Sequence, residues 1–148
     1  MIVKIISGGQ TGADQGGLAA GKELGLATGG WAPVGWLTEN GPQEELLKSY
    51  GLQEWSRPGY AARTAANVTH SDKTVWFGLT GSPGYCCTVK ACHWYHRPVL
   101  INPAPDEFLR WIKLHPASIL NVAGNRERLN PGIYERTKLF LTATLTIL

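Results

Sequence analysis

Four short apolar segments, each followed by a segment with helical spacing, constrain the fold of this chain more than any other feature. IVKIIS, KTVWFG, PVLIN and SILNVAG each predict a strand, because short apolar runs bounded by turn residues are typical of buried strands. Right-handed crossovers through a helix are the standard connection between parallel strands. The order of the segments therefore predicts an α/β fold, with a mostly parallel sheet covered by helices.

The segments between and after these strands predict five helices: GADQGGLAAGKELG, YAARTAANVTHSD, the later part of LTGSPGYCCTVKACHWYHR, PDEFLRWIKLHP and PGIYERTKLFLTATL. Gly25 and Pro116 mark two of the predicted helix ends, since glycine favours the turn after a helix and proline cannot continue one. Residues 28–59 are dense in Gly, Pro and Trp and have weak periodicity. They predict an irregular excursion that contains one short strand, at about residues 28–31.

Length and composition limit the possible classes of protein. The chain has 148 residues, 43% of them hydrophobic, and is predicted to form one domain over residues 1–148. The formal net charge is +3 and the basic residues are scattered, which argues against duplex nucleic acid as a partner. No segment resembles a secretion signal or a membrane span, so we expect a cytoplasmic protein without a membrane partner. Cysteines and histidines lack ligand spacing, and no metal site is expected.

Glycine-bearing loops follow three of the predicted strands, and the first of them, SGGQTGADQGG at residues 7–17, holds five glycines. The loop after KTVWF contains Gly78, Gly81 and Gly84, and the loop after SILNVA contains Gly124. In open parallel sheets, ligands bind beyond the carboxyl ends of the strands, so these loops are expected to line one crevice.

A glycine loop that leads into a helix offers backbone N–H groups and the positive end of the helix dipole, which together favour a phosphate. The first loop matches neither a Walker A motif nor a strict dinucleotide fingerprint. Its glycines could instead serve only close packing of strand and helix. The polar residues at its tip favour a ligand, and the candidate ligand-binding residues of this loop are Gly8, Gly9, Gln10, Thr11, Gly12 and Asp14.

Four separate motifs carry a resemblance to a known family. ISGGQTGAD, GGWAPVG with Glu39 and Gly41 behind it, YAARTAANVTHSDKTVWF, and LNVAGNRE with PGIYE occur in this order across nearly the whole chain. They resemble the molybdenum cofactor carrier family, the circularly permuted YpsA type of the SLOG superfamily. The resemblance implies a Rossmann-like three-layer fold and a ligand that is molybdenum cofactor or a nucleotide. It also implies a homo-oligomer, a dimer or tetramer.

The resemblance extends the set of candidate ligand-binding residues. Its best-matching motif contains Arg63, Thr64 and Asn67, and the loop after the last strand contains Gly124, Arg126 and Glu127. In the second glycine loop the family typically has Gly-Gly-Thr, where this chain has Pro83-Gly84-Tyr85. Either Tyr85 stacks on a ligand ring or the ligand differs. The candidates of this loop are Gly81, Gly84, Tyr85 and Thr88.

Two classes of function remain open at this stage. In the first, the protein carries or senses a small phosphorylated planar ligand without changing it. In the second it is a nucleotide hydrolase, like the lysine decarboxylase-like (LOG) relatives of the superfamily. A general base would then come from Asp14, Glu39 or Glu127, with Arg63 or Arg126 holding the anion. No spacing in the sequence assigns catalytic residues, and a scaffold with a vestigial pocket is a third possibility.

The last predicted helix carries leucine and phenylalanine residues in excess of what one domain edge needs: Leu139, Phe140, Leu141, Leu145 and Leu148. An exposed apolar face of this kind is typical of a contact with another chain. The sequence therefore predicts that the protein forms a homo-oligomer through this helix.

Overall fold

A computed structural model describes residues 1–147 of the chain. Its main sheet has six parallel strands in the order β5-β2-β1-β8-β6-β7. These strands are β1 (Lys4–Ile6), β2 (Ala27–Ala32), β5 (Leu52–Glu54), β6 (Lys73–Phe77), β7 (Val99–Ile101) and β8 (Ile119–Gly124). The hairpin of β3 (Leu37–Thr38) and β4 (Gly41–Pro42) is separate from this sheet. The predicted parallel sheet is confirmed.

Six helices cover the sheet: α1 (Ala13–Glu23), α2 (Glu44–Ser49), α3 (Ala61–Thr69), α4 (Pro83–Trp94), α5 (Pro105–Leu114) and α6 (Ile133–Leu145). The largest core cluster joins α1, α5 and α6 to the sheet through residues such as Phe108 and Leu141. A separate cluster joins α3 to α4 through Val68 and Cys92. The helices thus lie on both faces of the sheet, which is a Rossmann-like three-layer arrangement as predicted.

The prediction for residues 28–59 is wrong in part. The strand at residues 28–31 is present as β2, but the region also contains α2, β5 and the β3–β4 hairpin. Leu47 of α2 and Leu52 of β5 are buried against Leu18 of α1. Elements of two to six residues are too short to show periodicity, and long-range burial stabilises α2 and β5.

The apolar face of the last helix serves mainly this chain's own core. Leu141 is buried, while Phe140 and Leu145 pack against the same core cluster. Leu139 is 58% exposed, and Leu148 lies outside the described residues. Most of the apolar residues on which the predicted oligomer was based are therefore not available for a contact with another chain. A homo-oligomer stays a prediction. A light-scattering mass equal to the 16.1 kDa monomer at micromolar concentration would contradict it.

Residues 1–147 contain no helix that is both long enough and apolar enough to span a membrane.

Lys73 begins β6 and is almost completely buried. Its ammonium group donates to the carbonyl oxygen of Trp111 at 3.0 Å and to that of His115, and it lies 4.4 Å from the centre of the Trp111 ring. These carbonyls lie at the C-terminal end of α5, where the helix dipole favours a cation.

We expect Lys73→Met to destabilise the protein by about 1–2 kcal/mol, because it removes a charged hydrogen-bond donor from the Trp111 and His115 carbonyls while keeping the apolar stem. Urea denaturation measures the change. Lys113→Met, on the same helix end but exposed, is the control. Equal stabilities of the two variants would contradict this role of Lys73.

Candidate functional site

A cavity of about 780 Å³ lies at the carboxyl ends of β1, β8 and β6, between the sheet and helices α3 and α4. The floor is formed by β8 residues, from Asn121 to Gly124, and the loops after β1, β6 and β8 contribute to the rim. The volume falls in the range of sites for small ligands and cofactors, about 300–1,000 Å³. The predicted crevice of glycine-bearing loops is therefore present.

The structure brings most of the candidate residues to this cavity. Those that line it are Gly8, Gln10, Asp14, Arg63, Thr64, Asn67, Gly81, Gly84, Thr88, Gly124 and Arg126. Those that do not are Gly9, Thr11, Gly12, Tyr85 and Glu127.

Three consecutive amides of the first glycine loop are engaged within the loop. The Gly9 amide donates to Ser7 Oγ at 3.1 Å, and the Gln10 amide donates to Asp14 Oδ2 at 3.2 Å. The Thr11 amide donates to Gln10 Oε1 at 3.0 Å. The glycine-rich sequence predicts that Gly8, Gly9, Thr11 and Gly12 line the mouth of the crevice with free N–H groups. This prediction is wrong for Gly9 and Thr11, whose amides are engaged. This loop holds its shape through its own side chains.

Gly9 has a packing role in this loop. Its φ is +80°, and a Cβ atom there would lie 2.8 Å from Leu52 Cδ2 and 3.1 Å from Leu47 Cδ2. A substitution at Gly9 would thus disturb the core under α2. It cannot serve as a test of ligand binding that leaves the fold unchanged.

Arg63 of α3 reaches across the cavity to the first loop. Its Nη1 donates to the Gly8 carbonyl at 3.1 Å and lies 3.5 Å from the Trp31 carbonyl. Its buried Nε has no hydrogen-bond partner. A Cβ atom at Gly8 would lie 2.1 Å from Nη1, so a side chain there would displace the guanidinium from this position. The guanidinium is thus fixed at the cavity with donor capacity left for a ligand.

Asp14, in the first turn of α1, lines the cavity beside Arg63. Burial raises the pKa of its carboxyl group from 3.8 to about 6, against the opposing effects of Arg63 and of the amides of Gln10 and Gly8. Perturbed carboxyl groups in clefts are candidates for function. Of the three candidate bases, Asp14, Glu39 and Glu127, only Asp14 lines this cavity.

The position of Asp14 predicts a pH dependence for anion binding. Above pH 6 the ionised carboxylate repels an anion in the cavity, and below pH 6 it is neutral, so affinity rises as pH falls from 8 to 5. We expect a change of about threefold to tenfold for sulfate, whose own charge is constant over this range. Calorimetric titration measures it, and Asp14→Asn is expected to remove the dependence. A dependence that persists in Asp14→Asn would contradict the assignment.

Asp14 also affects folding. Because its folded pKa is raised, its contribution to stability is fully present below pH 3.8 and is lost as pH rises through about 6. Asp14→Asn is therefore expected to be more stable than the wild type at pH 8, by about 1–2 kcal/mol, and not at pH 4. Urea denaturation at the two pH values checks the sign.

Asn67 lines the cavity but has its side chain engaged by β2. Its Oδ1 accepts from the Trp31 amide at 2.9 Å, and its Nδ2 donates to the Trp31 carbonyl at 3.3 Å. Asn67 thus fixes α3 against the carboxyl end of β2 and holds Arg63, one helical turn before it, at the cavity.

The N-terminus of α4 faces the cavity through Gly81, Ser82, Pro83 and Gly84. Ser82 caps the helix by accepting from the Tyr85 amide at 3.2 Å. The Tyr85 ring packs edge-on against Trp76 at 5.4 Å between centres and does not line the cavity. Two other aromatic residues line the cavity: Tyr60, which is exposed, and Trp76, which is almost completely buried and whose Nε1 has no hydrogen-bond partner.

Glu127 is turned towards α6. Its carboxylate accepts from the amides of Gly132, at 2.6 Å, and Tyr134, at 3.0 Å. Carboxylates at this position satisfy the free amides of a helix N-terminus. The structure thus gives Glu127 a structural partner and places it away from the cavity.

Sequence reasoning missed Trp76, Asn121 and Asn125, all of which line the cavity. Asn125 Oδ1 accepts from the Leu79 amide at 2.6 Å and from Asn130 Nδ2 at 3.2 Å, so it joins the loops after β6 and β8. The available signal was the buried polar residue in the last strand, LNVAGN, since a polar side chain in a central strand needs a partner.

Within residues 1–147, no group of three or more His, Cys, Asp or Glu side chains is placed to hold a metal ion.

Comparison with known protein families identifies the family of the chain. The model of the Circularly permutated YpsA SLOG family matches residues 5–145. The chain belongs to this family. A crystal structure from Syntrophus aciditrophicus SB, of a protein named "putative molybdenum carrier protein", is similar to the chain with a TM-score of 0.87 and 33% sequence identity. The alignment covers 97% of this chain and 95% of that one. No curated protein matches the sequence.

Proposed function

We propose that this family member is a carrier that holds a phosphorylated planar ligand, with molybdenum cofactor as its cargo, in the cavity between α3 and α4. The observation that carries the proposal is the pair of arginines, Arg63 and Arg126, beside the N-terminus of α4 at one cavity. Guanidinium groups and helix N-termini are the usual phosphate ligands of proteins. The family and the name of the structural neighbour support the choice of cargo.

The remaining lining suits a planar ring with polar edges. Tyr60, which is 45% exposed, offers an aromatic ring at the cavity, and the partly exposed Ala123 contributes an apolar part of the floor. Ring systems of cofactors bind to such surfaces through stacking and a few placed hydrogen bonds.

The side chains present would hold the organic part of the cargo. Arginine and hydroxyl side chains and backbone amides are ligands for phosphate and for ring nitrogen and oxygen atoms, whereas no residue cluster in the described chain suits a metal ion. We therefore expect the metal-free compound to bind about as tightly as the complete cofactor.

Titration with neopterin phosphate tests the proposal, because pterin fluorescence reports binding directly. The protein is expected to bind neopterin phosphate at least about tenfold more tightly than neopterin, since a charge-assisted hydrogen bond contributes about 1.5–3 kcal/mol. Equal affinities for the two compounds would mean that the cavity does not recognise phosphate.

A nucleotide hydrolase is the second candidate function, and the position of Asp14 favours it. Its carboxyl group, with a pKa of about 6, lies next to Arg63 in the cavity, as a general acid or base beside an anion would. Incubation of the wild type with nucleoside monophosphates, followed by chromatography, tests this candidate. Release of base or phosphate that is reduced in Asp14→Asn and Arg63→Met would replace the carrier with the enzyme.

A further inference from the structure

Asn102, directly after β7, has a backbone conformation that its place in the sequence does not favour. Its φ is +45°, in the left-handed region, which is costly for residues other than glycine, although asparagine enters it more readily than most. Pro103 follows, and a residue before proline prefers an extended backbone. Residues held in such conformations cluster at functional sites, where the surrounding structure depends on them.

The Asn102 side chain binds both backbone polar groups of Gly78. Its Oδ1 accepts from the Gly78 amide and its Nδ2 donates to the Gly78 carbonyl oxygen, each at 2.8 Å. The Asn102 amide donates to the Trp76 carbonyl oxygen, also at 2.8 Å. The side chain therefore continues the pairing of β6 and β7 beyond the last residue of each strand.

Gly78 is the base of the loop, residues 78–82, that connects β6 to α4. Asn125 holds the same base from the side of β8, since its Oδ1 accepts from the Leu79 amide at 2.6 Å. The tip of the loop has less support, because Gly81 is exposed and its Cβ position has no atom within 4 Å. The position of the tip thus depends on how its base is held.

We propose that Asn102 is a positioning residue for phosphate recognition, although it does not line the cavity itself. Its side chain fixes Gly78, and the loop then brings Gly81, Ser82 and the N-terminus of α4 to the cavity. The inference rests on the proposed function, which assigns this helix N-terminus to the phosphate. Asn102 is exposed, and water competes for the hydrogen bonds of an exposed side chain, so its effect on overall stability is small.

Titration of Asn102→Gly with neopterin phosphate and with neopterin tests the role. Glycine removes the side chain but adopts the same positive φ without strain. We expect binding of neopterin phosphate to weaken by about fivefold, as for the loss of one hydrogen bond, and binding of neopterin to stay within about twofold of the wild type. The matched control is His96→Gly, because His96 is also exposed, has a φ of +54° and follows the opposite end of α4. It is expected to leave both affinities unchanged.

Nuclear magnetic resonance relaxation of the ligand-free protein measures the position of the loop independently of affinity. In Asn102→Gly the backbone order parameters of residues 79–82 are expected to fall from about 0.85 towards about 0.6, and in His96→Gly to stay at the wild-type value. The urea denaturation midpoint of Asn102→Gly is expected to remain close to that of the wild type.

Three results would overturn this role of Asn102 and leave the proposed function standing. They are unchanged order parameters in Asn102→Gly, a phosphate preference equal to that of His96→Gly, and equal losses of affinity for neopterin and neopterin phosphate. A wild-type protein that does not prefer neopterin phosphate to neopterin would instead contradict the proposed function, and the role of Asn102 with it.

Discussion

Gly12→Ala is expected to destabilise the protein by more than about 4 kcal/mol, the size reserved for strained or clashing buried sites. Gly12 has a φ of +81°, a backbone conformation that residues with a side chain rarely adopt. A Cβ atom there would lie 2.3 Å from the Asn125 carbonyl oxygen and 2.7 Å from the Glu127 amide nitrogen. The obstacles are backbone atoms of the loop after β8, which cannot move aside as a flexible side chain can.

Gly81→Ala is the matched control for Gly12→Ala, because Gly81 lies in another cavity loop with nothing within 4 Å of its Cβ position. Its effect on stability is expected to be within about 0.5 kcal/mol. Urea denaturation compares the two variants. Similar midpoints would show that the loops after β1 and β8 do not pack as closely as described.

Arg63→Met is expected to weaken binding of neopterin phosphate by about 10- to 150-fold, the equivalent of about 1.5–3 kcal/mol for a lost charge-assisted hydrogen bond. Methionine keeps much of the side-chain volume while removing the guanidinium beside Gly8. Fluorescence titration measures the change.

Arg110→Met is the control for charge, since Arg110 is exposed on α5 and its ion pair with Asp106 is of a kind that contributes little. It is expected to bind neopterin phosphate like the wild type. A similar loss in both variants would mean that net charge, and not Arg63, holds the anion.

The sequence was sufficient to predict the strands that form clear apolar runs and the longer helices. Segments such as KTVWFG and SILNVAG predicted β6 and β8, and the order of elements predicted the parallel sheet. It was insufficient for α2 and β5, whose stability depends on burial of Leu47 and Leu52 against Leu18. Contacts between residues far apart in sequence leave no periodic signal.

The sequence predicted where the candidate site lies in the fold, but not which contacts its side chains make. The glycine loops and the motif around Arg63 indicated the cavity, because both lie at the carboxyl ends of parallel strands. The orientation of single side chains was not predictable. Glu127 binds the N-terminus of α6 and Tyr85 packs on Trp76, and these partners depend on the tertiary arrangement.

The residues that contact the first glycine loop could also not be predicted from the sequence. Glu39 and Thr11 meet because the β3–β4 hairpin folds back onto the loops after β1 and β8. The sequence indicated no such hairpin in residues 28–59. The contact between Thr11 and Glu39 was thus beyond prediction from the sequence.

Mass spectrometry of the compound that co-purifies with the protein, together with phosphorus and molybdenum analysis, tests the central claim most directly. The protein would be produced in a host supplied with molybdate, beside Arg63→Met and Arg110→Met. We predict a phosphorus-containing pterin or nucleotide on the wild type and on Arg110→Met, and its loss from Arg63→Met. A wild-type protein that carries no such compound, and that binds neither neopterin phosphate nor GMP when they are added, would contradict the account.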